Sequence, residues 1–187
     1  MDIYKKEKKP IFIAFIDFRQ AFDTIQHQNL FYKLLKCGIS NKFYNIIKSM
    51  YNNIKLNVQS CDGKYISPSF ISLLGVRQGD NLSPTLFNIF VNDLPRIFDD
   101  TCKPVSVGNV FINCMLYADD LVIMSESNQG LQEAMNKLGN YCDRWGLEVN
   151  INKTKFMVSK KHTSINVKLI FKGQYIEMVD TAKYLGI

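Results

Sequence analysis

Two short apolar runs, Phe111-Ile112-Asn113-Cys114-Met115-Leu116 and Leu121-Val122-Ile123-Met124, flank the tetrapeptide Tyr117-Ala118-Asp119-Asp120. Runs of this length joined by so short a link predict a strand hairpin. Its turn is chemically poor. Two-residue hairpin turns favour Asn-Gly or Asp-Gly because the backbone takes positive φ there, yet this one has no Gly, Pro or Asn and sets two like charges side by side. A hard divalent cation offers a reason, since Mg²⁺ takes one or two protein carboxylates and leaves its other positions to water and substrate phosphates. A plain solvated turn is the competing reading for an Asp-Asp pair taken alone.

Composition narrows the class. In 187 residues, 47% hydrophobic content, thirteen Phe, nine Tyr and one Trp supply a real core and argue against disorder. The formal charge of +6 fits a polyanionic partner such as nucleic acid. Five cysteines (Cys37, Cys61, Cys102, Cys114, Cys142) are odd in number and widely spaced. They indicate neither a disulfide framework nor a zinc site, and reduced thiols predict an intracellular, non-secreted protein for which nucleus and cytoplasm both fit. Lys5, Lys6, Lys8 and Lys9 precede an apolar run, 11–16, that Asp17 stops after six residues. That is shorter than the ~7–15 of a signal h-region, and nothing approaches the ~18 of a membrane span. The lysines read as a solvated lead-in, with phosphate contact as the alternative.

Along the chain no repeat, low-complexity tract or linker is visible, which reads as one continuous architecture. A buried strand is expected over 11–16 and a helix over 28–37, ended by Gly38. Ser40 is expected to cap a second helix reaching Tyr51. Ile54, Leu56 and Val58, then Asp62-Gly63, then Tyr65 to Ile71 read as a hairpin. Ser83 as N-cap and Pro84 as first residue open a helix whose apolar face is Leu86, Ile89, Phe90, Leu94 and Ile97, with Pro95 bending or ending it. Leu131, Met135, Leu138, Cys142 and Trp145 recur at helical spacing up to Gly146. Strands are expected over 155–159, 167–171 and 174–179, the last two hinged at Lys172-Gly173. This order predicts an α+β domain, helices covering one face of a mainly antiparallel sheet. In a split β-α-β arrangement the strand ending at Asp17 can neighbour the later strand pair that carries Asp119-Asp120 at its tip, and carboxylates gathered there can hold two metals ~3.5–4 Å apart.

Residues 14–27, Ala-Phe-Ile-Asp-Phe-Arg-Gln-Ala-Phe-Asp-Thr-Ile-Gln-His, closely resemble the first palm motif of reverse transcriptases encoded by non-LTR (LINE-type) retrotransposons. Four further blocks follow in the family's order: 75–88 (Gly-Val-Arg-Gln-Gly-Asp-Asn-Leu-Ser-Pro-Thr-Leu-Phe-Asn), 115–120, 146–155, and 183–186 (Lys-Tyr-Leu-Gly). The resemblance implies a polymerase palm over 1–187 with a ferredoxin-like (RRM-like) core, and fingers and thumb largely missing. It implies two-metal transfer of a nucleotide from a dNTP to a DNA primer 3′-hydroxyl on an RNA template, with Mg²⁺ or Mn²⁺ as cofactor and no membrane. Oligomeric state is left open.

Residue by residue, the resemblance assigns Asp17 and Asp119 to the metals, with Asp120 as supporting carboxylate. Lys153 corresponds to a lysine that protonates departing pyrophosphate. Phe22 corresponds to an aromatic beneath the nucleotide sugar, with core packing as the bland alternative. Arg77, Gln78 and Gly79 correspond to nucleotide and template contacts at a helix start, where a structural turn competes. Tyr184, Leu185 and Gly186 correspond to the primer grip. Asp23 is outside the matched position and is expected to be a helix-start carboxylate. With fingers and thumb missing, little processive synthesis by the chain alone is expected. A truncated retrotransposon remnant, acting at most as a nucleic-acid or protein-binding module, is the alternative.

Overall fold

The computed structural model describes residues 9–52, 54–77, 79–159, 167–182 and 184. Lys5, Lys6 and Lys8, together with Gln78, Lys183, Leu185 and Gly186, lie outside the described residues. The chain divides into two compact units: one takes the stretch ending at Ala21 together with the chain from Asn92 onward, the other is Phe22–Val91.

The first unit is built on a five-stranded sheet in the order β11 (Glu177–Met178), β8 (Lys155–Val158), β1 (Phe12–Asp17), β7 (Asp120–Ser125), β6 (Cys114–Tyr117). β1 lies at its centre, antiparallel to both β7 and β8. β6 pairs antiparallel with β7, and only the short β11 runs parallel, beside β8. Strand alternation gives the sheet two different faces. Phe12, Ala14, Ile16, Leu121, Ile123 and Phe156 form one, and all are buried. The long helix Asn128–Trp145 packs on β7 and β1 and buries Leu131, Ala134, Met135, Leu138 and Cys142. On the other face Ile11, Ile13, Val105 and Val122 cluster with Phe15, Met124, Met157 and Tyr184. This is the expected α+β architecture, and the expected neighbouring of the Asp17 and Asp120 strands is direct.

The second unit holds α1 (His27–Lys36), α2 (Asn41–Tyr51), α3 (Ser83–Val91) and a two-stranded ribbon, β2 (Ile54–Leu56) with β3 (Phe70–Ser72); in the first unit, Asn128–Trp145 is then α4. Ile25, Leu30, Leu34, Leu86, Phe87 and Phe90 are fully buried here. Among the described residues no helix is long and apolar enough to cross a membrane.

Several local expectations need correction. The run 111–116 is broken at Asn113: β5 (Val110–Ile112) turns away to pair with β4 (Val105–Val107), while β6 joins the main sheet. Asn113 marks the break, donating its side-chain amide to the Phe98 carbonyl at 2.8 Å and accepting the Met124 N–H at 2.7 Å. α3 ends at Val91, and Leu94–Ile97 is a separate 3₁₀ turn with Pro95 in its first positions, so Leu94 and Ile97 do not extend the α3 face. Ser40 precedes α2 without making a side-chain cap. Ser83 lies inside α3 and turns its hydroxyl to the Arg77 carbonyl, while the Asp80 carboxylate accepts the Leu82 N–H at 2.9 Å. Asp23 sits in the turn after β1, four residues short of α1, and is no helix-start carboxylate. The strand expected over 167–171 shrinks to β9 (Ile170–Phe171), paired with β10 (Gln174–Tyr175) around Lys172-Gly173.

Candidate active site

Asp17, Asp119 and Asp120 lie where β1 and β6 end and β7 begins. Asp17 is the last residue of β1 and Asp120 the first of β7, and the two are direct register partners. Residues directly opposite in an antiparallel pair project to the same face, so the two carboxylates emerge together, on the face away from α4. Asp120 is also opposite Tyr117 of β6. That leaves a two-residue turn, Ala118-Asp119, in which Ala118 takes φ +51°. Non-glycine residues in the left-handed region are uncommon and such strain is of order 1–3 kcal/mol. Like charges directly opposite each other are destabilising as well. Partial burial, then the neighbouring Asp119 and Asp17 carboxylates, hold the Asp120 carboxyl above the usual carboxylate range.

Asp17 is held from behind by the segment that carries Lys153. Its N–H donates to the Thr154 hydroxyl at 3.2 Å, and its carbonyl accepts the Asn150 N–H at 2.8 Å. Phe18 bridges Val149, and the Arg19 N–H donates to the Glu148 carbonyl at 2.7 Å. Lys153 therefore stands on a tight turn, 150–154, anchored to the last residue of β1. The sequence block 146–155 was matched as a whole, but nothing in its composition singled out Thr154 or Asn150. Tyr184 completes this face. It packs on Phe15 with ring centroids 6.4 Å apart, and partial burial and the Asp120 charge push its hydroxyl up.

Among the described residues no three His, Cys, Asp or Glu side chains form a ready-made metal cluster. The donor chemistry still fits a hard cation that takes one or two carboxylates and completes its shell with water and phosphate.

In the second unit, Phe22, Arg77 and Gly79 line one groove of about 420 Å³, with Val76, Asp80 and Ser83. Phe22 is half-buried and stacks on Phe87 of α3, centroids 4.4 Å apart and planes 26° from parallel. Gly79 has φ +80° and, among the described residues, no atom within 4 Å of its missing Cβ, so the backbone is open to approach. Arg77 has a structural attachment: its guanidinium donates to the Met50 carbonyl at 2.8 Å near the end of α2 and lies over the Tyr51 ring. Val76 and Gly75 pair by backbone with Phe22 and Ile25, both at 2.8 Å, which ties the 75–79 loop to the Phe22 turn.

A family model described as reverse transcriptase (RNA-dependent DNA polymerase) matches residues 1–187, and the chain belongs to that family. Curated relatives include the Pol polyprotein of the type-2 retrotransposable element R2DM of Drosophila melanogaster, 30% identical over 97% of this chain and 18% of its own length. Another is the RNA-directed DNA polymerase of the mobile element jockey of Drosophila funebris, 30% identical over 93% of this chain and 19% of its own. The chain thus spans about a fifth of the length of these relatives. Among solved structures, a C-terminally truncated apo telomerase of Candida tropicalis shares the fold, with TM-score 0.62 and 17% identity over 94% of this chain and 36% of that one.

Proposed function

We propose that this chain is the palm of an RNA-directed DNA polymerase of the non-LTR retrotransposon kind, transferring a nucleotide from a dNTP to a DNA primer on an RNA template. The observation that carries this reading is the Asp17–Asp120 register pair beside the Ala118-Asp119 turn, in a chain of reverse transcriptase family. The alternative, a truncated remnant acting at most as a nucleic-acid or protein-binding module, is not favoured by a reverse transcriptase family match covering residues 1–187.

Asp17, Asp119 and Asp120 are the residues that would hold divalent cations, Mg²⁺ or Mn²⁺ and two in number. When bound, such ions neutralise the charge that develops on attacking and leaving oxygens. The primer 3′-hydroxyl loses its proton to solvent as its oxygen attacks the α-phosphorus, the bond from that phosphorus to the bridging oxygen breaks, and pyrophosphate leaves. Lys153 is assigned the proton delivered to that pyrophosphate. Tyr184, with Leu185 and Gly186, is assigned the primer end, whose alignment for attack is worth several kcal/mol of barrier. Phe22 is assigned the sugar: a ring braced by stacking on Phe87 has little freedom to yield to a ribose 2′-hydroxyl. Gly79, whose backbone is open, is assigned contact with nucleotide and template, as is Gln78, and Arg77 acts by holding its part of that loop. The test is single-nucleotide addition to a DNA primer on an RNA template in Mg²⁺. Templated addition that Asp119→Asn abolishes supports the reading, and addition indifferent to that change refutes it.

A further inference from the structure

The ladder between β1 and β8 stops at Phe15 opposite Lys155. Two residues further on, Asp17 still directs both its N–H and its carbonyl toward that side, and the turn 150–154 meets them. Asn150 supplies a main-chain N–H to the carbonyl, whereas the acceptor for the Asp17 N–H is a side chain, the Thr154 hydroxyl. Thr154 is 0% exposed. Its own N–H and that of Lys153 both return to the Asn150 carbonyl, at 2.8 and 3.2 Å. One buried hydroxyl thus stands where the sheet would have placed a carbonyl, and it joins the end of β1 to the turn that presents Lys153.

We propose that Thr154 is a positioning residue for Asp17: its hydroxyl fixes the last peptide of β1, and with it the direction of the Asp17 carboxylate and the register of the Lys153 turn. This rests on the reading of Asp17 as a metal-binding carboxylate. Groups that orient a metal ligand from behind matter almost as much as the ligand, and losing one typically costs on the order of 10–100-fold in affinity or activity. Valine matches threonine in shape and lacks the acceptor, while serine keeps the acceptor and lacks the methyl group, so the two substitutions separate hydrogen bonding from packing.

Mn²⁺ alone, titrated into the full chain and followed by electron paramagnetic resonance, gives a readout independent of polymerisation. Thr154→Val is expected to weaken Mn²⁺ binding about tenfold, Thr154→Ser to retain wild-type affinity, and Asp17→Asn to weaken binding at least as much as the valine. If Asp17→Asn weakens binding and Thr154→Val does not, the proposal for Thr154 is overturned while the role of Asp17 stands. If Asp17→Asn changes nothing, the parent reading and the proposal fall together. A serine variant as weak as the valine variant also overturns it, because packing would then be the cause. Should the valine variant not fold, hydrogen exchange at the Asp17 amide of the unmodified chain decides: slow exchange beyond the end of the β1–β8 ladder is expected, and exchange at the rate of an open turn amide contradicts it.

Discussion

The β7 strand and the two strands of the ribbon, β2 and β3, are comparably apolar in sequence, with two residues in three apolar in each, yet one is sealed and the other is open. Leu121 and Ile123 of β7 are 1% and 0% exposed, whereas Ile71 of β3 and Ile66 of the connection between β2 and β3 are 55% and 66% exposed. β7 is flanked by β1 and β6 and backed by α4, while β2 and β3 share three register pairs and, among the described residues, no further strand. An apolar pattern therefore reports what a segment can bury, and its neighbours decide what it does bury. The difference also explains where the acidic residues lie. A strand held on both sides can carry opposed carboxylates and a strained alanine at its end, as a two-stranded ribbon of marginal stability could not.

The largest test of this comparison is functional. Asp119→Asn is expected to lower single-nucleotide addition by on the order of a thousandfold or more, since several kcal/mol of charge stabilisation depend on it. Template binding in a filter assay is expected to be nearly unchanged. Next comes core burial. Ile123→Ala is expected to cost about 2–5 kcal/mol in chemical denaturation, and Ile66→Ala less than about 0.5 kcal/mol. Equal costs would mean that the ribbon is sealed too. Gly75→Ala follows, with φ +81° and a new Cβ only 3.0 Å from the Asp23 carbonyl oxygen. A cost of about 1–3 kcal/mol is expected, together with weaker discrimination against ribonucleotides if the Phe22 turn shifts with it.

The smallest effect belongs to a surface pair in the first unit. Lys137 first, then Thr101, lowers the Asp99 carboxyl from 3.8 to about 2. A depressed folded-state value means that the stabilisation is present above pH 3.8 and is lost as pH falls toward 2. Asp99→Asn should flatten that acid limb slightly, as expected for an exposed pair, and thermal melts across this window would measure it.

Periodicity and caps made much of the fold legible before any coordinates: the α4 stripe ends at Gly146, which takes φ +72°, and β1 stops at Asp17. The turn chemistry pointed to Asp119 and Asp120, and the family blocks assigned their roles together with that of Asp17. What remained hidden depends on contacts beyond the local pattern. Gly130 reads as a defect in a helix, yet a Cβ there would lie 2.5 Å from the Cys102 carbonyl oxygen. The break at Asn113 exists because Phe98 and Met124 receive it. Ser83 looked like a cap by position, but a carbonyl six residues earlier claims its hydroxyl. Thr154 was invisible for the same reason, its partner being 137 residues away.

The central claim, that Asp17, Asp119 and Asp120 form one cation-binding end of the sheet, is tested most directly by nuclear magnetic resonance of the chain with substoichiometric Mn²⁺. Paramagnetic broadening is expected to begin at the amides of Asp17, Phe18 and Tyr117 to Leu121, spread next to Asn150 through Thr154, and vanish in the Asp17→Asn, Asp119→Asn double variant. Broadening centred instead on another acidic stretch, such as Asp99-Asp100, or unchanged by the double substitution, would contradict the account.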